Sequence, residues 1–267
     1  MKLNWIIDVD IIGEEHINVP NQLRSFGYKV TTLSATKDFP KIISEMDTIY
    51  PFHGSFQELS KIKKSIIPAT YGINQNILRS HYTSYIPNDW FLNKNSMMTT
   101  WGNLYKSTNF WFEYFGNELF IRPDSGNKTF TGQVITRKNF DEQKSILEQF
   151  SNIKPETIIW ISNAKRIENE YRFWISNKKI ATCCEYSWEK EKQLGIVPMI
   201  AMTFANKIAN YEWQVDSIYV VDISIIDNYP SIIEFNSFSC SGLYTCDSKE
   251  LFKIVSEDII TEWNQQF

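Results

Sequence analysis

The stretch YVVDISIIDNYPSIIEFN, Tyr219–Asn236, sets an acid inside one apolar run and an acid with an amide at the end of the next. The turn residues between Asp227 and Pro230 separate the two runs, which therefore read as consecutive strands. Side chains alternate along a strand, so Glu234 and Asn236 share one face while Phe235 takes the other. Asp222 on the neighbouring strand can converge with them. Apolar strands rarely hold unpartnered acids, because an unpaired buried carboxylate is costly. Two explanations stand: ion pairs to surface lysines at the strand ends, or an oxygen-only ligand set. Two carboxylates and an amide oxygen suit a hard cation such as Mg²⁺, which keeps waters and bridges carboxylates to substrate phosphates. For either acid alone the ion pair is the simpler reading; for the D and E-x-N combination the metal accounts for more.

Working back along the chain, NEYRFW places Glu170, Arg172 and Trp174 on one strand face. Taken alone, this is compatible with an internal ion pair on a solvated face. Further upstream, FIRPDSGNKTFTG, Phe120–Gly132, ends an apolar run on Arg122 and carries Lys128 in the loop that follows. Arg122, Lys128 and Arg172 can then line one cleft, opposite a carboxylate-bound magnesium. That combination describes a triphosphate site, since like unit charges ~4 Å apart at an effective dielectric of about 20 repel by about 4 kcal/mol. The Gly-x-x-x-x-Gly-Lys-Ser/Thr loop, the Gly-x-Gly-x-x-Gly pattern and kinase signatures do not occur in the sequence, so the phosphate grip is of another type.

The remaining chain supplies the scaffold. Its first 90 or so residues alternate short apolar runs with amphipathic ones, which predicts a small, mainly parallel α/β lobe over residues 1–93. YGINQNILRSHYTSYIPNDWF predicts a helix and an exit segment. After residue 93 longer strands appear, with helices at NFDEQKSILEQF and DSKELFKIVSEDIITEWNQQF; in the former Phe140, Ile146, Leu147 and Phe150 are expected near one face. Asp247 caps the latter. The aromatic segment TNFWFEYF is expected in the core.

With 43% hydrophobic residues in 267, the chain can bury a sizeable core. A net charge of -4 offers no broad basic field and argues against a nucleic-acid partner. The start lacks a signal-peptide pattern and no apolar run is long enough to span a bilayer, so a cytoplasmic protein is expected. The four cysteines and three histidines lack zinc-site spacing, and the cysteines are expected as reduced, packed thiols.

FIRPDSGNKTFTG, ENEYRFW, VVDI and IIEFNSFSCSGLY, in that order between about Asn117 and Tyr244, resemble the ATP-grasp superfamily, in the branch named for two arginines and a lysine. The resemblance implies an α+β fold: an N-terminal lobe, then an ATP-grasp domain over 94–267 with subdomains of about 94–162 and 163–267 holding ATP between them. It implies an ATP-dependent carboxylate-amine ligase that acts through an acylphosphate and releases ADP and phosphate. Arg122 would touch the α and β phosphates, and Lys128 would belong to the loop closing over them. The backbone of Trp160, Ile161 and Ser162 would meet adenine, and Glu170 would hold the ribose. Asp222, Glu234 and Asn236 match the magnesium ligands, and Arg172 would steady the transferring phosphoryl group. Ser239, Ser241 and Tyr244 fall at the substrate-facing position, although a plain hydroxyl-rich turn accounts for them equally well.

The expected partners are carboxylate and amine substrates, small molecules or peptides. A second reading is a nucleotide-binding module without turnover that docks a protein or nucleic acid through aromatics such as Trp101, Trp111 and Phe112. A third is phosphoryl transfer to a hydroxyl.

Overall fold

The computed structural model describes residues 2–12, 16–34, 45, 47–62, 75–126, 129–167, 169–186 and 196–266. The first lobe is built on β1 (Lys2–Asp8), which pairs in parallel with β2 (Lys29–Leu33), β3 (Thr48–Ile49) and β4 (Phe52–His53). Helix α1 (Val19–Ser25) links β1 to β2, and α2 (Phe56–Ile62) follows β4. The expected small parallel unit is therefore present. A parallel strand covered on both faces is apolar nearly throughout: Leu3, Trp5 and Ile7 join one core cluster, while Ile6 joins Phe52, Leu59 and Ile62 in another.

In YGINQNILRSHYTSYIPNDWF, the helix expected ahead of the exit segment is instead broken. The stretch carries a 3₁₀ turn at Gln75–Ile77, the short α3 (Arg79–Tyr82) and a second 3₁₀ turn at Asn88–Trp90, while residues 71–74 lie outside the described ones. The start of α3 is tied to a strand end rather than to more helix: Arg79 N donates to the Asp124 carbonyl, and Ser80 N and Oγ donate to the Asp124 carboxylate.

The middle sheet has the order β5-β8-β6-β7, from β5 (Met97–Thr100), β6 (Glu118–Pro123), β7 (Gln133–Thr136) and β8 (Ile158–Asn163), all antiparallel. Helices α4 (Trp101–Lys106), α5 (Thr108–Phe115) and α6 (Phe140–Phe150) cover one of its faces. Leu119, Ile121, Ile135, Ile159 and Ile161 point into that core with Trp111, Phe112, Phe140 and Leu147. In α6, Ile146 and Phe150 are exposed rather than sharing the face of Phe140 and Leu147. Residues seven apart nearly align at 100° per residue, whereas these two fall well off the stripe. Likewise, TNFWFEYF buries Trp111 and Phe112 but leaves Phe110 and Tyr114 exposed and stacked.

The last sheet, order β10-β9-β11-β12, is antiparallel: β9 (Glu170–Ser176), β10 (Lys179–Tyr186), β11 (Ile218–Ile226) and β12 (Tyr229–Ser237). Both hairpins close on two residues of positive φ, Asn177-Lys178 and Asp227-Asn228. That geometry matches the right-handed twist of the flanking strands and tolerates Asn and Asp. Helix α7 (Met199–Ala209) packs on the sheet, and α8 (Ser248–Gln266) begins where Glu250 N donates to Asp247 Oδ1 at 3.0 Å. Leu251, Phe252, Val255 and Ile259 of α8 pack with Trp174, Val220 and Trp5. The Trp5 and Phe252 rings meet edge-on with centroids 5.1 Å apart. Cys184 and Cys246 lie in the same cluster as small apolar side chains, and burial raises both thiols, Cys184 to about 11.

The chain divides into two compact units: Met1–Ile73 with Asn169–Phe267, and Asn74–Glu168. Among the described residues no helix is long and apolar enough to cross a membrane.

Candidate active site

In the first unit, one face of the last sheet changes from apolar to charged along the strands. Trp174 and Val220 meet α8, and one step further along β9 and β11 come Arg172 and Asp222. The register puts Glu234, Asp222, Arg172 and Cys184 opposite one another across all four strands. An irregularity between Asp222 and Ile223 sets this row. The tight turn pairs Ile226 with Tyr229 and Ile223 with Ile232, and one extra residue, Ile233, then brings Glu234 opposite Asp222. A bulge of this kind re-aims a side chain.

Arg172 donates from Nε to Asp222 Oδ1 and from Nη2 to Asp222 Oδ2, both at 2.7 Å, with each side chain buried. Its Nη1 donates to the Gly242 carbonyl at 3.2 Å, and its guanidinium lies over the Tyr244 ring at 4.9 Å. The strand-internal Glu170–Arg172 pair admitted by the sequence is therefore replaced by a cross-strand pair with Asp222. Burial alone would lower the Arg172 pKa, but the Asp222 charge and hydrogen bonds hold it above its usual value.

Asn236 donates from Nδ2 to Asp222 Oδ2 at 3.1 Å and to Glu234 Oε1 at 2.9 Å. Asp222, Glu234 and Asn236 are thus brought together, as the alternation implied. Glu170 stands close enough to feel the same charges. Burial, then Asp222 and Glu234, push it up to about 7 against the opposing pull of Arg172. Three carboxylates beside one guanidinium leave the cluster rich in negative charge, and this fits a divalent cation held through oxygen. Among the described residues no three acid, histidine or cysteine side chains are already gathered as a ligand cage. A metal here would be held by Asp222, Glu234 and the Asn236 amide oxygen, together with oxygens it brings.

The segment after β12 closes this end of the site. Ser239 and Ser241 are buried, and the Ser241 hydroxyl donates to the Phe238 carbonyl at 3.0 Å. Tyr244 adopts φ +48°, unusual for a bulky residue, with its carbonyl bonded to the His16 ring and its own ring on Arg172. Tyr244 is joined directly to the charged cluster through Arg172. Sequence reasoning missed Ser224, a fully buried residue whose hydroxyl has no partner and which pairs with Glu170 on β9. A serine within an apolar strand carries no spacing signal that would have marked it.

In the middle unit, Arg122 on β6 pairs with Trp160 on β8, and Phe120 pairs with Ser162, on the sheet face turned away from α4, α5 and α6. Ile161 points into the helical core, which leaves its backbone for any contact with a ligand. Arg122 is buried, and its Nε reaches the Pro123 carbonyl at 3.4 Å. Gly132 returns close to it: a Cβ there would lie 2.9 Å from the Phe120 ring and 3.4 Å from Arg122 Cβ. Lys128 lies outside the described residues. On the same face, and unanticipated, Trp160 Nε1 donates to Asp124 at 2.8 Å, and the Arg79 guanidinium lies over the Trp160 ring at 5.0 Å. The Ser162 hydroxyl is buried without a partner.

A family model described as ATP-grasp domain, R2K clade family 2, matches residues 91–254. No curated protein matches the chain by sequence. Among solved structures, the D-alanine–D-alanine ligase from Bacillus anthracis complexed with ATP superposes with a TM-score of 0.62 at 13% identity, covering 100% of both chains. A D-cycloserine synthetase gives 0.63 at 8% identity over 97% of this chain and 100% of its own. A macrocyclase from Microcystis aeruginosa bound with its precursor peptide gives 0.54 at 11% identity over 96% and 99%. At these identities the structural likeness speaks to fold.

Proposed function

Since the chain belongs to the ATP-grasp family, in the clade matched over residues 91–254, we propose that it is an ATP-dependent ligase joining a carboxylate to an amine, with amino acids or peptides as substrates. The observation that carries this reading is the charged end of the last sheet. Asp222, Glu234 and Asn236 are tied together there by hydrogen bonds, and Arg172 is locked beside them. The fold neighbours lend support, for one is a ligase complexed with ATP and another is bound with a precursor peptide.

Asp222, Glu234 and Asn236 would hold Mg²⁺, which would supply charge neutralisation for the phosphates. Arg122 and Lys128 would grip the phosphates. The backbone of Trp160, Ile161 and Ser162 would position adenine, and Glu170 would accept the ribose hydroxyls. Arg172, already oriented by Asp222, would need no reorganisation to steady charge developing on the transferred phosphoryl group. A substrate carboxylate oxygen attacks the γ-phosphorus and ADP leaves. The amine nitrogen then attacks the acyl carbon, the carbon–oxygen bond to phosphate breaks, phosphate leaves and the nitrogen loses a proton. No protein nucleophile is required; positioning and charge neutralisation do the chemistry. Tyr244, Ser239 and Ser241 are the proposed substrate contacts, with Tyr244 foremost.

The test is ADP release over a panel of amino acids and short peptides. Release should require a carboxylate and an amine together and should vanish in Glu234→Ala. ADP formation unaffected by that change, or a stable phosphorylated product, would overturn the reading.

A further inference from the structure

We infer that Arg79, outside the stretch matched by the family model, is an oxyanion-binding residue that acts with Arg122 and Lys165 on the phosphates of the nucleotide. The inference rests on the nucleotide-binding reading above and extends it to residues that no motif marked.

Arg79 is buried, yet its hydrogen bonding is incomplete. Nη2 donates to the Asn93 carbonyl and to Ser96 Oγ, both at 3.0 Å, whereas Nε and Nη1 have no hydrogen-bond partner. A guanidinium serving structure alone is expected to have its donors satisfied, because a buried charged donor left without an acceptor is among the costlier defects in a fold. The Phe91 and Trp160 rings, 5.6 and 5.0 Å from Cζ, stack on the cation but accept none of its N–H groups in the plane.

The surrounding charge is unbalanced in the same sense. Arg122 and Lys165 are both near enough to repel Arg79, and Lys165 Nζ donates to Asn93 Oδ1 at 3.0 Å, so the two cations share one asparagine. The nearby carboxylate, Asp124, is already engaged by Ser80 N, Ser80 Oγ and Trp160 Nε1 at 2.7–2.8 Å. The Tyr82 side chain lies alongside the guanidinium. Burial makes both Arg79 and Lys165 easier to deprotonate than usual; Arg122 adds to this at Arg79, against the opposing pull of Tyr82 and Asp124, and Arg79 adds to it at Lys165. The partnerless Ser162 hydroxyl lies on the same sheet face as Trp160. Three cations, two orphaned guanidinium donors and a hydroxyl are what an oxyanion needs, and phosphate is the one a nucleotide brings.

Calorimetric titration of MgATP, magnesium pyrophosphate, acetate and adenosine into wild type, Arg79→Gln and Arg79→Lys tests this. Charge-assisted hydrogen bonds predict that Arg79→Gln weakens MgATP and pyrophosphate by roughly tenfold or more, with adenosine nearly unchanged and Arg79→Lys intermediate. Because Arg79 is buried, the wild type supplies a second measurement: the Arg79 Nε–H resonance should move with pyrophosphate and stay put with adenosine. MgATP affinity unchanged in Arg79→Gln, or a resonance that ignores pyrophosphate, would overturn the assignment. A response to acetate alone would also overturn it, assigning the site to a substrate carboxylate. Failure of wild type to bind MgATP while pyrophosphate still moves Arg79 would sink the ligase reading and leave the oxyanion site standing; binding of neither would sink both.

Discussion

Arg172 and Asp222 face each other across β9 and β11, joined by two contacts of 2.7 Å and almost wholly withdrawn from water. Such a pair stabilises little in net terms, but removing one member strands the other charge at a cost of about 3–5 kcal/mol. Arg172→Met and Asp222→Asn should each lose stability on that scale in urea denaturation, and the double variant should lose clearly less than their sum. Additive losses would mean that the pair is not coupled.

Glu170 is pushed up to about 7, first by burial and then by Asp222 and Glu234. A carboxyl whose folded value is raised favours the fold while protonated; that contribution is full below the ordinary carboxyl value near pH 4.5 and is lost as pH rises through 7. Glu170→Gln removes the charge but keeps the shape, so it should raise the Tm relative to wild type at pH 8 and change it little at pH 5. An equal change at both pH values would contradict burial and the two neighbouring acids as the cause.

His53 behaves in the opposite sense. Burial lowers it to about 4, against the backbone hydrogen bond at Phe238, and the Phe238 and Phe252 rings flank it at 5.3 and 5.4 Å. A depressed value means stability that is present above pH 6.5 and lost as pH falls through 4, on the order of 3 kcal/mol at about 1.4 kcal/mol per pH unit. In His53→Phe the acid-induced loss between pH 7 and 4 should shrink by about that amount in denaturant titrations. An unchanged acid slope would assign the loss to other groups.

The β11–β12 turn offers a test of backbone geometry. Asn228 sits at φ +63°, which glycine adopts freely and a β-branched residue does not. Asn228→Gly should be near neutral, and Asn228→Val should cost about 1–2 kcal/mol. Thermal melts of the two variants check this directly.

Much of the site was legible because strand parity is local. The faces of Glu234, Asn236, Arg172 and Trp174 follow from alternation alone, and the apolar stripe from Leu251 to Ile259 on α8 follows from the equally local spacing of a helix. Partnership is not local. Whether Arg172 pairs with Glu170, two residues away, or with Asp222, fifty away, depends on register, and register in this sheet turns on one extra residue at Ile233. Arg79 was illegible for a related reason: a lone arginine in NILRSHY acquires meaning when β8 brings Trp160 beneath it. The helix expected ahead of the exit segment within residues 71–91 gave way to short turns because Asp124, more than forty residues on, captures Ser80.

The central claim, that Asp222, Glu234 and Asn236 hold the metal of a bound nucleotide, is tested most directly by Mn²⁺ in place of Mg²⁺. With ATP present, paramagnetic broadening should begin at the amide resonances of residues 222–224 and 234–236 and should disappear from them in Glu234→Ala. Broadening centred on any other part of the chain, or unchanged in Glu234→Ala, would contradict the account.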